Sequence, residues 1–336
     1  MTFLTKETIV KKIIGTSAFA LVTSALVIGP ASAQDYPNKP VTAVIQMAPG
    51  GPTDLIVRVI QQKMGEELGQ ALIIENKAGA GGLIGIKNVL SAHADGYTLG
   101  IATGSSHGVA PNIYENLPYN PTKDFRPVGT LVMAPGVLVA SKAAVPDCRY
   151  ETFIKKLKEN PGEMKYGSAG IGTLAHMTGA YFLAETETDM LHIPYRGLGP
   201  AMIDLQGGSI DALFDNISSA RAHLKGGKIC ALAIQSDKRL EEYPSIPTYA
   251  ELGLPQLNKP TWYGLIARAE TPDAVILELN AALNKTLDSE SVANLYKGMG
   301  VQPFKSTPEE FSALMQEENE FWKNVTEKIN FAKLKL

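Results

Sequence analysis

Residues 41–76 read VTAVIQMAPGGPTDLIVRVIQQKMGEELGQALIIEN. VTAVIQ is an apolar run of strand length, and ALIIEN is a second one. Between them, DLIVRVIQQKMGEELG carries its apolar residues at helical spacing. Strand, helix and strand in that order predict a βαβ unit. The link MAPGGPTD (47–54) hands the first strand over to the helix. Gly50 and Gly51 permit positive φ there and let another group approach the backbone closely. The first turn of a helix leaves amide donors without intrahelical partners, which suits an anion. Thr53 and Asp54 stand where side chains could cap that helix. Residues 47–54 by themselves favour a plainer reading, a tight turn with no ligand.

The same alternation continues down the chain. GGLIGIKNVLSAHA reads as helix and YTLGIAT as strand, and the segments from GVLVAS to ICALAIQ (136–235) keep exchanging the two periods. The fold class predicted is α/β, with two mainly parallel sheets covered by helices on both faces. YGLIARA adds a late strand. TPDAVILELNAALNKTLD and PEEFSALMQEENEFWKNVTEKI then predict two amphipathic helices opened by Thr-Pro pairs. Two lobes joined by crossing strands at 130–141 and 261–269 fit this layout. The boundaries expected are a first lobe of 34–137 and 263–336 and a second lobe of 138–262. Ligands in such sheets sit outside the carboxyl ends of the strands, so the cleft between the lobes is the place for one.

Residues 1–33 read as a secretory signal. Lys6, Lys11 and Lys12 form a basic start, IIGTSAFALVTSALVIGP is apolar, and Ala31-Ser32-Ala33 supplies a cleavage site. An exported chain beginning near Gln34 follows, of roughly 300 residues, natural for two α/β lobes. The net charge of −3 gives no basic footprint for nucleic acid or membrane surface. Without Cys-x-x-Cys or clustered histidines, no metal and no cofactor are expected. The two cysteines, Cys148 and Cys230, are expected to form a disulfide, which export permits. Antiparallel pairing of GVLVAS with ICALAI would bring them together.

Three glycine-bearing turns follow strands: MAPGGPTD, TGSSHG (103–108) and YGSAGIGTLAH (166–176). The second contains Gly104-Ser105-Ser106-His107-Gly108, a literal match to the nucleophile elbow. Pro111 and Pro118 leave little room for the helix that motif needs, although Asp215 and His223 have the right chain order for a triad. An exported serine hydrolase built on Ser106 is therefore the alternative function. AGAGGLIG (78–85) misses the dinucleotide spacing, because its third glycine falls at Gly85. Its glycines read as aids to helix packing. Of the five histidines, His93, His107, His176, His192 and His223, only His107 reads as a pocket member. In the third turn Ser168, Gly170, Gly172 and Thr173 gather hydroxyls and amides at a helix start. Two such turns, one per lobe, could close on one carboxylate by charge-assisted hydrogen bonds without a full opposing charge.

The mature chain resembles, nearly end to end, the extracytoplasmic solute receptors of the tripartite tricarboxylate transporters, the Bug family. The pieces that carry the resemblance include YPNKPV, APGGPTD, IIENKAGAGGLIG, ADGYTLGIATGSS, NLPYNPTKDFRPV, KYGSAGIGT, HIPYRGLGPAMIDLQGG, DALFDN and SIPTYAELG. The resemblance implies a two-lobe periplasmic binding protein, a monomer and not an enzyme, that delivers a small organic acid to membrane permease subunits. It implies that one carboxylate is gripped by Ala48, Pro49, Gly50, Gly51, Thr53 and Asp54 in one lobe, and by Ser168, Gly170 and Thr173 in the other. The far end of the ligand would meet Thr103, Ser105, Ser106 and His107 together with Asp215-Asn216, with Arg196 at the rim. Ser106-His107 departs from the small or apolar residues common in the family, which leaves the ligand's identity open among mono-, di- and tricarboxylates, aromatic acids and amino acids.

Overall fold

The computed structural model describes residues 36–335. The expected signal segment lies outside them. The opening βαβ unit is β1 (Val41–Ile45), α1 (Pro52–Leu68) and β2 (Leu72–Asn76). α1 begins with Pro52, whose missing N–H costs nothing in a first turn. It stops at Gly69, which turns left-handed (φ 67°) and bonds back to Gly65 and Glu66.

Two sheets form. The first has the order β11-β4-β10-β3-β1-β2 and includes β3 (Thr98–Thr103), β4 (Phe125–Ala134), β10 (Thr261–Arg268) and β11 (Gln302–Pro303). The second has the order β7-β6-β8-β5-β9, built from β5 (Gly136–Ser141), β6 (Lys165–Ser168), β7 (Leu191–Pro194), β8 (Ala212–Asn216) and β9 (Ile229–Gln235). Each is flanked by helices, giving two lobes.

The sheets are mixed rather than mainly parallel. β1 runs parallel to β2 and β3, and β6 runs parallel to β7 and β8. β4, β10 and β11 in the first sheet, and β5 and β9 in the second, form antiparallel pairs. The physical reason lies in the connections: strands that carry the chain from lobe to lobe are not returned by a helix, so nothing forces them parallel. The first passage occurs at Pro135, between β4 and β5. The return is complete before Thr261, because β10 pairs along its whole length with β4. It therefore lies in 236–260, ahead of the expected crossing at 261–269.

The helices between these strands include α2 (Leu83–Leu90), α3 (Ala110–Ile113), α4 (Tyr150–Glu159), α5 (Leu174–Thr186), α6 (Leu198–Gly207) and α7 (Ile217–Lys225). A wide helical turn, Gly104–Val109, leads into α3. After β10 come α8 (Asp273–Asp288), α9 (Glu290–Gly298) and α10 (Pro308–Lys328). α10 opens with a reciprocal cap between Thr307 and Glu310. The short α9 carries no Thr-Pro signal and went unread in the sequence. Trp322 and Val325 of α10 join Phe153 and Phe182 of the second lobe and Val109 and Ile113 of the first in one buried cluster. The terminal helix thus ties both lobes together. In the first lobe, Trp262 meets Phe311 of α10 edge to face at 5.4 Å, a pairing that adds about 0.5–1.5 kcal/mol to the burial itself.

β5 and β9 do pair antiparallel, with Ala140 opposite Cys230. Cys148 and Cys230 are free thiols here, so the expected bond is not formed. They are nonetheless neighbours: burial and then a hydrogen bond with Cys148 push the Cys230 thiol far above its ordinary pKa.

Candidate functional site

A cavity of about 60 Å³ lies between the two lobes. The first lobe contributes Met47, Gly51, Pro52 and Thr53 after β1, Thr103 and Ser105 after β3, and Thr261 and Tyr263 from β10. The second contributes Ala169, Thr173, Leu174, Ala175 and Thr178 after β6, Leu198 at the start of α6, Phe214, Asp215 and Asn216 from β8, and Gln235 and Tyr249. Every contribution but Tyr249 and Thr178 comes from a strand, or from the turn and first helical residues beyond it. The first turns of α1, α5 and α6 reach the wall, and the positive dipole ends of these helices favour negative charge. Among the described residues lining the cavity, no lysine, arginine or histidine occurs, and Asp215 alone is charged.

The turn before α1 is held from behind. Asp54 Oδ2 accepts from the Gly50 amide at 3.1 Å, and Asp54 Oδ1 accepts from Asn76 at 2.9 Å and Arg58 at 3.0 Å. Burial pushes this carboxyl up, but the bonds from Arg58, Asn76 and Gly50 outweigh it and hold the pKa below the ordinary value. Asp54 does not cap the helix as expected. Gly51 is the N-cap, with no side-chain bond to it, so the first-turn amides stay available. Gly51 has an ordinary φ of −85°; the left-handed residue is Gly50 at 84°.

The matching turn of the second lobe is knitted to itself. Ser168 Oγ donates to Gly170 O at 3.0 Å and accepts from Gly170 N at 3.1 Å, while Thr173 Oγ1 donates to Gly170 O at 2.7 Å. Two histidines brace it from below. His192 Nε2 lies 2.6 Å from Ser168 Oγ, His176 Nδ1 accepts from Gly172 N at 3.2 Å, and the two rings stack at 4.0 Å. Burial lowers the pKa of His176 to about 4, and burial with the neighbouring ring lowers His192 to about 3.

The lobes touch around the cavity. Ser105 Oγ accepts from Leu174 N at 2.9 Å, Tyr263 donates to Asn216 Oδ1 at 2.8 Å, and Ala48 N donates to Arg196 O at 3.3 Å. Backbone meets backbone where glycine stands: a side chain on Gly199 would come 2.8 Å from Pro49 O, and one on Gly81 would come 2.7 Å from Ile171 O. The glycines of AGAGGLIG thus serve two purposes. Gly85 lets α2 lie on Gln46, just beyond β1, and Gly81 faces the other lobe.

Of the residues named from sequence, Gly51, Thr53, Thr103, Ser105, Thr173, Asp215 and Asn216 line the cavity. Ala48, Pro49, Gly50, Asp54, Ser168 and Gly170 stand behind it in the turns just described. The Arg196 side chain is exposed and only its carbonyl joins the lobe contact. Ser106 and His107 are buried beside it. Ser106 caps its own turn in a reciprocal bond with Thr103. Its Oγ lies 2.9 Å from His107 Nδ1, and the His107 ring packs edge-on against Phe125. His107 Nε2 has no partner, and burial lowers the ring's pKa to about 3. Asp215 bonds Ser219 and the Asn216 amide rather than a histidine, and His223 sits in the last turn of α7. Ser106 and His107 lie together, but no acid among the described residues completes them. Tyr249, Thr261 and Tyr263 were missed, because they enter from the return segment and β10, which carry no turn motif.

Two converging helix starts in separate lobes, with a cavity between them, invite comparison with known proteins. Residues 56–331 match the model of the tripartite tricarboxylate transporter family receptor. The chain belongs to that family. Its fold superposes on the periplasmic binding protein BugD with a TM-score of 0.85 at 30% identity, covering 89% of this chain and 100% of that one. It matches MatC of Rhodopseudomonas palustris, solved with bound malate, at 0.83 and 33% identity over 86% of this chain and 99% of that one. It matches R. palustris Rpa4515, solved with adipate, at 0.85 and 29% identity, covering 89% and 100%. Two of these solved relatives therefore hold a dicarboxylate.

Proposed function

We propose that this chain is a periplasmic receptor that closes its two lobes on one small organic carboxylate and delivers it to the membrane permease of a tripartite transporter. The observation that carries the reading is the cavity wall: amide-bearing helix starts and hydroxyls from both lobes, with no cationic side chain. Such a wall holds a carboxylate by hydrogen bonds and dipole ends alone. Gly51–Thr53 and Ala169–Ala175 are the stretches assigned to that grip. The receptor is read as monomeric, as the family resemblance implies, and as non-enzymatic, because Ser106 is committed to its own turn and the His107 beside it has no acid partner.

A thermal-shift screen of mono-, di- and tricarboxylates on the purified mature protein tests this. A ligand that binds the native state alone raises the midpoint by mass action, with about 2.7 kcal/mol of added stability at a hundred times Kd. At least one organic acid should give a saturable rise, while matched esters or amides without the carboxylate should give none. A rise with the ester equal to that with the acid would contradict the assignment.

A further inference from the structure

A cavity built to receive an anion also holds a buried acid. Asp215 is the next-to-last residue of β8, is 5% exposed and lines the cavity. Its Oδ1 is fully engaged, accepting from Ser219 Oγ at 2.7 Å and from the Asn216 amide at 2.7 Å. Its Oδ2 is buried and has no partner at all. A buried carboxylate oxygen left unpaired is costly, and native proteins retain such groups where something binds them. The side chains facing Asp215 offer no relief. Asn216 Oδ1 is taken by Tyr263, so its neighbour's contact is already spent within the wall. Tyr263 from β10 and Tyr249 across the cavity are the titratable groups around it, and burial raises both phenols further from ionisation. Ser219 of α7 is the hydroxyl already counted. No cation reaches the cavity wall among the described residues.

Resting on the receptor reading above, we propose that the natural solute is a carboxylate bearing a second, hydrogen-donating group, an amino or a hydroxyl group, and that Asp215 Oδ2 receives that donor. The cavity then has two unlike poles. Helix-start amides meet the carboxylate, and Asp215 meets N–H or O–H. A simple diacid satisfies the first pole and sets its second anion against a carboxylate. An amino or hydroxy acid satisfies both. Burial raises the Asp215 pKa to about 6, with the bonds from Ser219 and Asn216 only partly offsetting it. The ionised form that accepts from an ammonium group is therefore present above that pH and lost below it. A protonated Asp215 would instead donate to a second carboxylate, so diacids and amino acids should change affinity in opposite directions with pH.

Calorimetry and thermal shift on the mature protein with matched sets of acids decide this. The sets are succinate, malate and aspartate; glutarate, 2-hydroxyglutarate and glutamate; benzoate, 3-hydroxybenzoate and 3-aminobenzoate. At pH 7.5 the tightest binder should carry the donor and exceed its unsubstituted parent at least tenfold. Asp215→Asn, shown folded by circular dichroism, should cut that preference to less than threefold. Lowering the pH to 5 should weaken an amino acid and strengthen its parent diacid. If the parents bind as tightly as the substituted acids at pH 7.5, or if Asp215→Asn leaves the preference intact, the inference fails and the carboxylate receptor stands. If no acid in any set binds, both fall.

Discussion

Gly51 lines the cavity in the opening turn. Its backbone is unstrained and a Cβ there would meet the α6 amides Gly199 N at 3.5 Å and Leu198 N at 3.6 Å, ordinary contacts. The γ-methyls of a valine would reach further, into the cavity and the lobe contact. Gly51→Val should therefore leave the fold standing and lose at least about tenfold in affinity, some 1.4 kcal/mol. Asp54→Ala removes the brace on Gly50, Asn76 and Arg58 without filling the site. It should cost on the order of 1.5–3 kcal/mol of stability, as hydrogen bonds to a charged group do, and less affinity than Gly51→Val. Calorimetry on both folded variants separates the two roles; parental affinity in Gly51→Val would contradict the site. Glycine and hydroxyl residues at strand ends were legible in the sequence because turn chemistry marks them. Asp54 was visible as a helix-start acid, but its true partner, the Gly50 amide, depended on a turn geometry that no spacing reveals.

Among the elements, the second-lobe turn is the one whose support is titratable. His176 and His192 sit neutral beneath Ser168 and Gly172, and His107 sits neutral behind the cavity. All three have pKa values lowered by burial, to about 4, 3 and 3. As pH falls below 6.5 the unfolded chain takes up these protons before the folded one does, so their share of stability is present above 6.5 and lost towards 4. Asp215 acts the other way, since its raised pKa of about 6 lets the fold bind a proton first. Three histidines against one acid predict a melting point that falls steadily between pH 6.5 and 4. His192→Gln, which keeps a partner for Ser168, should flatten that slope in differential scanning calorimetry; an unchanged slope would contradict the neutral brace. Helices and strands were largely readable from their periods. The antiparallel strands were not, because direction depends on which lobe the chain enters next, and an apolar run reads the same either way.

For the whole molecule, the lobes are drawn together by backbone contacts at Gly81 and Gly199 and by α10, whose apolar face serves both cores. The two-lobe plan was legible from alternation and from the late return to strand at 261–268. The role of α10 was not, since its stripe of apolar residues says that something is covered but not that two lobes share it. On the proposed function, a carboxylate lies between the starts of α1 and α5, held by neutral donors of both lobes. The most direct measurement is a crystal structure of the mature protein saturated with the acid that raises its melting point most. Both carboxylate oxygens are expected within about 3 Å of first-turn amides or hydroxyls, or one ordered water removed from them, with Gly51–Thr53 on one side and Thr173–Ala175 on the other. A carboxylate paired instead with an arginine or lysine outside this cavity would contradict it.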